Sequence, residues 1–327
     1  MSANGDALAR VFEAISPANY VQHQLHGSAH AWPQTNCYVD LWIEALASTG
    51  VAPEAMLGFT LIEDFEGDQF TFFKVPLEDL ESLYGIVVTE LALYDTVENH
   101  VSTQLERGRL CLVEVDSFNL PDTAGVTYGI EHGKSTIGIN RLDPVAKTMD
   151  YFHNDGFFAL GGADYEGVFQ HQVEPQLRFI PYTEFAKFPA TFPTEAHQRS
   201  EARRLLAHHL RRRPAVNPLA TFAGVFAAQV AQVAERGIDF FHLYAFNTVR
   251  QFGANFELLS SHLEWLDAAE FAAEAAAAKQ ICDNAKTTQF MLARAVARRR
   301  FDPLATALTP SVEAWEALMA GLSAKVG

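Results

Sequence analysis

The fold is decided by one stretch of sequence, Gln34-Thr35-Asn36-Cys37-Tyr38-Val39-Asp40-Leu41-Trp42-Ile43-Glu44. Thr35 and Asn36 are residue types that cap helix N-termini, and apolar residues recur after them at helical spacing. Gly50, followed closely by Pro53, is a typical helix stop. The pattern predicts an amphipathic helix with Cys37 in its first turn.

A cysteine in a first helical turn is a candidate nucleophile. Unpaired backbone N–H groups and the positive end of the helix dipole stabilise a thiolate, and at such sites a cysteine pKa falls from about 8.5 to roughly 3.5–7.5. The alternative for Cys37 is a small buried hydrophobe. Cys111 lies inside an apolar run and is predicted to belong to the core. Because Cys37, Cys111 and Cys282 form no Cys-x-x-Cys pair, neither a disulfide framework nor a zinc site is predicted.

Composition predicts a globular protein, since 49% of the 327 residues are hydrophobic. The N-terminus has no pattern of a signal peptide, and no apolar run approaches the length of a membrane span, so we expect a cytoplasmic protein with no membrane partner. The formal net charge is −18 for residues 1–190 and +2 for 191–327. The acidic first part argues against nucleic acid as a partner, because phosphate contacts need clustered Lys and Arg.

Two domains are predicted, 1–190 and 191–327. Prolines become frequent at 188–193, and every segment after Thr194 has helical periodicity, which predicts a helical bundle. The bundle contains two arginine clusters, near 203–213 and 294–300. These arginines are either solvated helix faces and partners of the acidic part, or a docking surface for an acidic carrier protein.

A hairpin supplies residues that could act on Cys37. Strands are predicted at 128–140 and 148–156, with His132 near the start of the first and Asn154 near the end of the second. An antiparallel hairpin brings these ends together. His132 could then take the thiol proton while Asn154 holds the imidazole, with Asp155 and Asp116 as rivals for the third position.

An acidic loop follows the cysteine helix and contains Asp64, Asp68 and Gln69. It is either a solvated loop or part of a pocket for an amine. Arg250 lies on an otherwise apolar predicted helix, where it is either a buried structural hydrogen-bonding group or part of a substrate pocket. No metal site is predicted.

Several of these segments together resemble a known family: 36–44, 115–123 with Tyr128 and His132, and 151–154. They are similar to an uncharacterised bacterial family of unknown function, which in turn resembles the N-terminal domain of butirosin biosynthesis protein H. The resemblance covers nearly the whole chain, including 246–257.

The resemblance implies an α+β, papain-like domain whose cysteine helix packs on an antiparallel sheet, followed by a helical domain. Cys37 would be the acyl-accepting nucleophile and His132 the general base. The supporting polar shell would be Asp116, Tyr128 and Asn154. The oxyanion donor stays open, and its candidates are Gln34, Asn36, Gln69 and the backbone N–H of Cys37.

The resemblance also implies a function. Butirosin-type relatives move an acyl group from the phosphopantetheine thioester of an acyl carrier protein onto an amine. We therefore expect a cysteine-dependent acyl or aminoacyl transferase with a carrier protein and a small amine as partners and no bound cofactor. The alternatives are a cysteine peptidase or amidase of the same fold and a non-catalytic binding protein.

Overall fold

A computed structural model describes residues 9–327, so that the first eight residues of the predicted N-terminal domain lie outside the described part. The chain forms two compact units. The first unit contains 9–24, Asn36–Pro53 and Leu80–Pro193. The second contains Leu25–Thr35, Glu54–Asp79 and Thr194–Gly327. Two short segments from the N-terminal part of the sequence thus belong to the second unit.

The first unit is built on one six-stranded sheet. Its strands are β1 (Val87–Glu90), β2 (Leu110–Asp116), β3 (Lys134–Asp143), β4 (Thr148–His153), β5 (Gly156–Gly161) and β6 (Thr183–Lys187). Their order across the sheet is β1-β6-β2-β3-β4-β5. Every neighbouring pair is antiparallel, which confirms the predicted α+β class and the β3–β4 hairpin.

The helices that begin in the N-terminal 193 residues are α1 (Cys37–Ala47), α2 (Leu77–Tyr84), α3 (Val97–Glu106) and α4 (Ala163–Val168). Single 3-10 turns lie at Gln24–His26, Ser117–Asn119, Pro121–Thr123 and Pro175–Leu177, and a longer 3-10 segment lies at Pro53–Ile62.

Helix α1 lies on one face of the sheet. The side chain of Leu41 packs against Gly138, where an added Cβ would come within 3.3 Å of Leu41 Cδ1. Because Gly138 pairs with Leu112 and Leu112 with Glu184, these three residues share a face, which we call the α1 face. Tyr38 of α1 reaches the same face and donates a hydrogen bond to Glu184 at 3.0 Å.

Helices α3 and α4 contribute to the core on the opposite face. The apolar residues of this core come from the alternate strand positions and from the two helices, and include Cys111, Val113, Ile137, Ile139, Tyr151, Val101, Leu105, Tyr165 and Val168. This core and the α1 side of the sheet explain why β2 is an almost continuous apolar run.

Helix α1 differs from the predicted amphipathic helix because it is buried on all sides. Its apolar residues are enclosed, and Asp40 and Glu44 are also fully buried. Glu44 accepts hydrogen bonds from the Tyr20 hydroxyl and from His23 N at 3.0 Å, which compensates for its burial. The polar residues of α1 are therefore internal hydrogen-bonding groups and not a solvated face.

The first strand of the predicted hairpin begins later than predicted. Residues 128–133 precede β3 as a loop, and the strand begins only at Lys134. Strand β5, which pairs with β4, was not predicted.

The second unit is mainly helical, as predicted for the C-terminal part. Its helices are α5 (Glu195–Arg212), α6 (Pro218–Val233), α7 (Ile238–Ala245), α8 (Gln251–Asp267), α9 (Ala272–Arg298) and α10 (Thr309–Val326). A π-helical turn at Phe246–Arg250 joins α7 to α8, and a 3-10 turn at Asp302–Thr306 precedes α10. None of the helices in residues 9–327 combines the length and apolar character that a membrane crossing requires.

Candidate functional site

Cys37 is the first residue of α1 and has a free, half-buried thiol. The side-chain oxygen of Asn36 accepts hydrogen bonds from Tyr38 N at 3.1 Å and Val39 N at 3.0 Å, and so caps the helix. The N–H of Cys37 itself is not part of this cap. Asn36 therefore has a structural role as the N-cap, and the Cys37 N–H stays a predicted oxyanion donor.

The other two cysteines are enclosed in apolar surroundings. Cys111 and Cys282 are both fully buried. Burial raises the pKa of each thiol to about 12, and the nearby charge of Glu257 adds to the shift at Cys282. Both are therefore inert thiols in the folded protein.

His132 forms a pair with Asp116, which we call the exposed dyad. His132 Nδ1 lies 2.5 Å from Asp116 Oδ2, although the His132 side chain is 78% exposed. The ring of Phe118 stacks on the imidazole with centroids 4.6 Å apart. Because Nδ1 faces a carboxylate, the neutral ring carries its proton there, which leaves Nε2 as the nitrogen that can act as a base.

Asp116 is fixed by more than the imidazole. Its Oδ1 also accepts hydrogen bonds from Phe118 N at 3.1 Å and Gly133 N at 3.2 Å. Burial acts to raise the pKa of Asp116, but the hydrogen bonds from His132 and the two backbone N–H groups outweigh it, and the pKa lies below its ordinary value. The carboxylate is thus ionised and orients the imidazole.

The exposed dyad and α1 lie on the same face of the sheet. Asp116 is four residues after Leu112 in β2, whose pairing with β3 is regular, so both side chains point to the α1 face. Cys37 and His132 therefore belong to one side of one unit. Among residues 9–327, no hydrogen bond joins Cys37 to His132.

The predicted third residue lies elsewhere. Asn154 and Asp155 form the two-residue turn between β4 and β5, and Asn154 has a left-handed backbone with φ of 45°. Asparagine tolerates this conformation better than most residues, which accounts for its presence in the turn. In the described structure His132 is oriented by Asp116, and Asn154 makes no hydrogen bond to it.

A second histidine system was missed. His153 Nδ1 lies 2.5 Å from Asp122 Oδ2, and His153 Nε2 lies 2.5 Å from Ser135 Oγ. Tyr151 donates a further hydrogen bond to Asp122 Oδ1 at 2.5 Å. We call Asp122, His153 and Ser135 the buried triad.

The buried triad lies on the side of the sheet opposite α1. Ser135 pairs with Val115, which belongs to the core on that side. The start of β3 and the end of β4 are therefore close together, as predicted. The residues that make the contact are Ser135 and His153. The sequence signal was the period-2 spacing of Tyr151 and His153, which places both on one face.

Tyr128 is placed between the loop before β3 and helix α4. Its hydroxyl lies 3.1 and 3.2 Å from the two carboxylate oxygens of Asp164. The hydrogen bond to Asp164, followed by the charge of that carboxylate, raises the pKa of Tyr128, which stays a protonated donor. Tyr128 therefore fastens the loop to α4.

The remaining predicted site residues belong to the second unit. Arg250 donates to Thr35 O at 2.9 Å and to Gln34 O at 2.5 Å, and its guanidinium lies over the Phe246 ring. Asp64 Oδ1 accepts from Phe65 N at 2.7 Å. These contacts give Arg250 and Asp64 structural partners.

The acidic loop is also bound to helix α6 within the second unit. The backbone oxygen of Asp68 accepts a hydrogen bond from Gln229 Nε2 at 2.9 Å. The backbone oxygen of Gln69 accepts one from Glu66 N at 2.9 Å, which closes the loop. A role of Asp64, Asp68, Gln69 or Arg250 in substrate binding stays a prediction.

The segment 30–35 has a further anchor on helix α8. Glu257 accepts hydrogen bonds from Ala31 N and Trp32 N, both at 2.8 Å. Burial acts to raise the pKa of Glu257, but the hydrogen bonds from His30 and from the two backbone N–H groups lower it below its ordinary value. An ionised carboxylate on α8 thus holds this segment in place.

The described part of the chain shows no metal centre, and two of its cavities lie away from Cys37. Within residues 9–327, no three His, Cys, Asp or Glu side chains are grouped as metal ligands. The first unit contains a cavity of about 430 Å³ between α3, α4 and the segment 175–181, and an open one of about 610 Å³ beside Tyr20. Cys37, His132 and His153 line neither of these two cavities.

Comparison with known families shows the family to which the chain belongs. The DUF1839 N-terminal domain matches residues 21–188, and the DUF1839 C-terminal domain matches residues 195–324. The protein belongs to this family, whose domains have no assigned function. No curated protein matches the sequence. The family match does not extend to butirosin biosynthesis protein H, so that relationship enters only as part of a proposal.

Proposed function

We propose that this protein is a cytoplasmic, papain-like acyl or aminoacyl transferase that works through an enzyme thioester on Cys37. The observation that supports this function best is the free thiol at the start of α1, on the sheet face that also carries the exposed dyad. The donor is the phosphopantetheine thioester of a carrier protein, and the acceptor is an amine.

In the proposed reaction His132 acts first as a base and Cys37 then acts as the nucleophile. His132 Nε2 takes the thiol proton, and Cys37 Sγ attacks the thioester carbonyl carbon. The carbon–sulfur bond to phosphopantetheine breaks, and the departing thiol receives the proton from His132. An amine then attacks the enzyme thioester, gives its proton to His132, and releases Cys37. Asp116 keeps the imidazole in the required tautomer throughout.

Exposed arginines of the second unit support a carrier protein as the partner. Arg203 and Arg204 are bound to Glu270 and Glu201. Five other arginines in the clusters carry exposed side chains with no ion pair in the described structure: Arg211, Arg212, Arg294, Arg298 and Arg300. These free cations could attract an acidic surface, and carrier proteins are generally acidic.

The test measures iodoacetamide alkylation of Cys37 by peptide mass spectrometry between pH 5 and 9. Because Cys111 and Cys282 are buried, the wild-type protein can be used without replacing them. We expect His132→Ala to slow alkylation of Cys37 about tenfold at pH 6.5, since it removes the base. His100→Ala, which removes another imidazole of the same unit, serves as the matched control and should leave the rate unchanged.

A second readout separates transfer from mere reactivity. Acetyl-pantetheine thioester should acylate Cys37, and a primary amine should discharge the acyl group faster than water does. Discharge by water alone would favour a peptidase or amidase. Rapid alkylation without any acylation would favour a binding protein, and an alkylation rate equal in wild type and His132→Ala would refute the role of His132.

A further inference from the structure

The buried triad has the connections of a nucleophile, a base and an orienting carboxylate. Asp122 Oδ2 lies 2.5 Å from His153 Nδ1, and the Ser135 hydroxyl lies 2.5 Å from Nε2 on the other side of the ring. In the neutral ring with its proton on Nδ1, facing the carboxylate, Nε2 accepts the hydrogen bond from Ser135. This is the arrangement required for nucleophilic attack.

Tyr151 strengthens the carboxylate end of the triad. Burial, followed by the charge of Asp122, raises the pKa of Tyr151, so that its phenol stays protonated and donates to Asp122. Asp122 receives two hydrogen bonds in an environment where its side chain is only 3% exposed. Its charge is thus held against His153, where it stabilises the imidazolium that forms during attack.

We propose that Ser135 is a second nucleophile of this protein, which accepts acyl groups from small uncharged esters. Ser135 Oγ attacks the ester carbonyl carbon while its proton passes to His153 Nε2. The bond from that carbon to the alcohol oxygen breaks, and the alcohol leaves with the proton. Water, deprotonated by His153, then releases the acid and restores Ser135.

The substrates of Ser135 must be small and uncharged, because this residue is only 6% exposed. The segment 124–133 leads into β3 just before Ser135 and contains no helix or strand, and its movement is the route of access that the proposal invokes. The segment is fastened by the Tyr128–Asp164 hydrogen bond and by Gly129 N, which donates to Phe118 O at 3.0 Å. Tyr128 would act as the latch of this segment, so its removal should speed the reaction at Ser135.

Diisopropyl fluorophosphate is the probe that tests the proposal, because it is small, uncharged and specific for activated serines. Ser135 Oγ would form a bond to phosphorus as the phosphorus–fluorine bond breaks and hydrogen fluoride leaves. Peptide mass spectrometry locates the adduct. We expect modification of Ser135 in the wild-type protein, at least about 100-fold slower modification in Asp122→Asn and His153→Gln, and none in Ser135→Ala.

Three comparisons make the result decisive. Ser117→Ala, which changes another buried serine near the same loop, should keep modification of Ser135. Cys37→Ala should keep it as well, which separates this site from the proposed transferase. Tyr128→Phe should increase the rate. Absence of an adduct at Ser135 in both the wild type and Tyr128→Phe overturns the proposal, as does a rate that Asp122→Asn leaves unchanged in a folded protein.

Discussion

The first unit contains two histidines that make the same contact with a carboxylate but differ in their exposure to solvent. His132 and His153 each have Nδ1 2.5 Å from a carboxylate oxygen. The His132 side chain is 78% exposed, whereas that of His153 is 1% exposed. His132 keeps Nε2 open to solvent, and His153 Nε2 is bonded to Ser135.

The comparison shows how burial changes the contribution of one hydrogen bond to the stability of the protein. In the exposed dyad, water can replace either partner, so the pair adds little to stability and is available for chemistry. In the buried triad, loss of one partner leaves a charge or a hydroxyl without compensation. The same contact therefore contributes little to stability on one face of the sheet and much more on the other.

The largest expected effect is a difference in stability between the alanine variants of the two histidines. His153→Ala leaves the buried Asp122 carboxylate without its partner and should lower the free energy of unfolding by about 3–5 kcal/mol. His132→Ala should lower it by less than about 1 kcal/mol. Urea unfolding followed by circular dichroism measures both. Equal losses would show that exposure does not distinguish the two pairs.

A smaller effect is expected at the carboxylate of the buried triad. Tyr151→Phe removes the donor to Asp122 Oδ1 without removing the ring, and should lower the free energy of unfolding by about 1.5 kcal/mol. Tyr128→Phe removes the corresponding hydroxyl from Asp164 nearer the surface and should cost less. The same urea titrations test this order, which a larger loss in Tyr128→Phe would contradict.

The smallest expected effect is a pH dependence of the stability that the exposed dyad contributes. The folded-state pKa of Asp116 is lowered, so its ionised form stabilises the protein above the unfolded-state pKa of about 4, and this stability is lost as the pH falls through the lower folded-state value. Asp116→Asn should remove this dependence. Since the carboxylate is 39% exposed, screening limits the effect to about 0.5 kcal/mol.

Stability curves of the wild type and Asp116→Asn at pH 6 and pH 3 check this prediction. Their difference should shrink at the lower pH, and it should also shrink in 1 M salt, which shortens the range of charge interactions to about 3 Å. A difference that stays constant in both conditions would mean that Asp116 acts through packing and not through its charge.

Local signals in the sequence were reliable where the structure depends on near neighbours. Helix α1 starts at Cys37 after the Asn36 cap, as the residue types predicted, because capping joins groups two or three residues apart. The pairing of β3 with β4 was predictable for the same reason, since a short turn joins them.

Signals failed where distant residues decide the outcome. His132 was predicted inside a strand, but its contacts with Asp116 and Phe118 place it in the loop before β3. The prediction for the end of β4 named Asn154 with Asp155 as a rival, whereas His153 makes the contact with Ser135. Asp122, which holds His153, comes from a 3-10 turn 31 residues earlier in the sequence.

The sequence by itself determined the α+β class, the α1 helix with its leading cysteine, the hairpin and the helical C-terminal part, because these follow from periodicity, caps and turns within short stretches. Only the tertiary structure decided which carboxylate each histidine meets, and which face of the sheet each pair occupies. It also decided that 25–35 and 54–79 belong to the second unit. The physical reason is that ion pairs and core packing join residues far apart in the chain, and local pattern carries no information about such contacts.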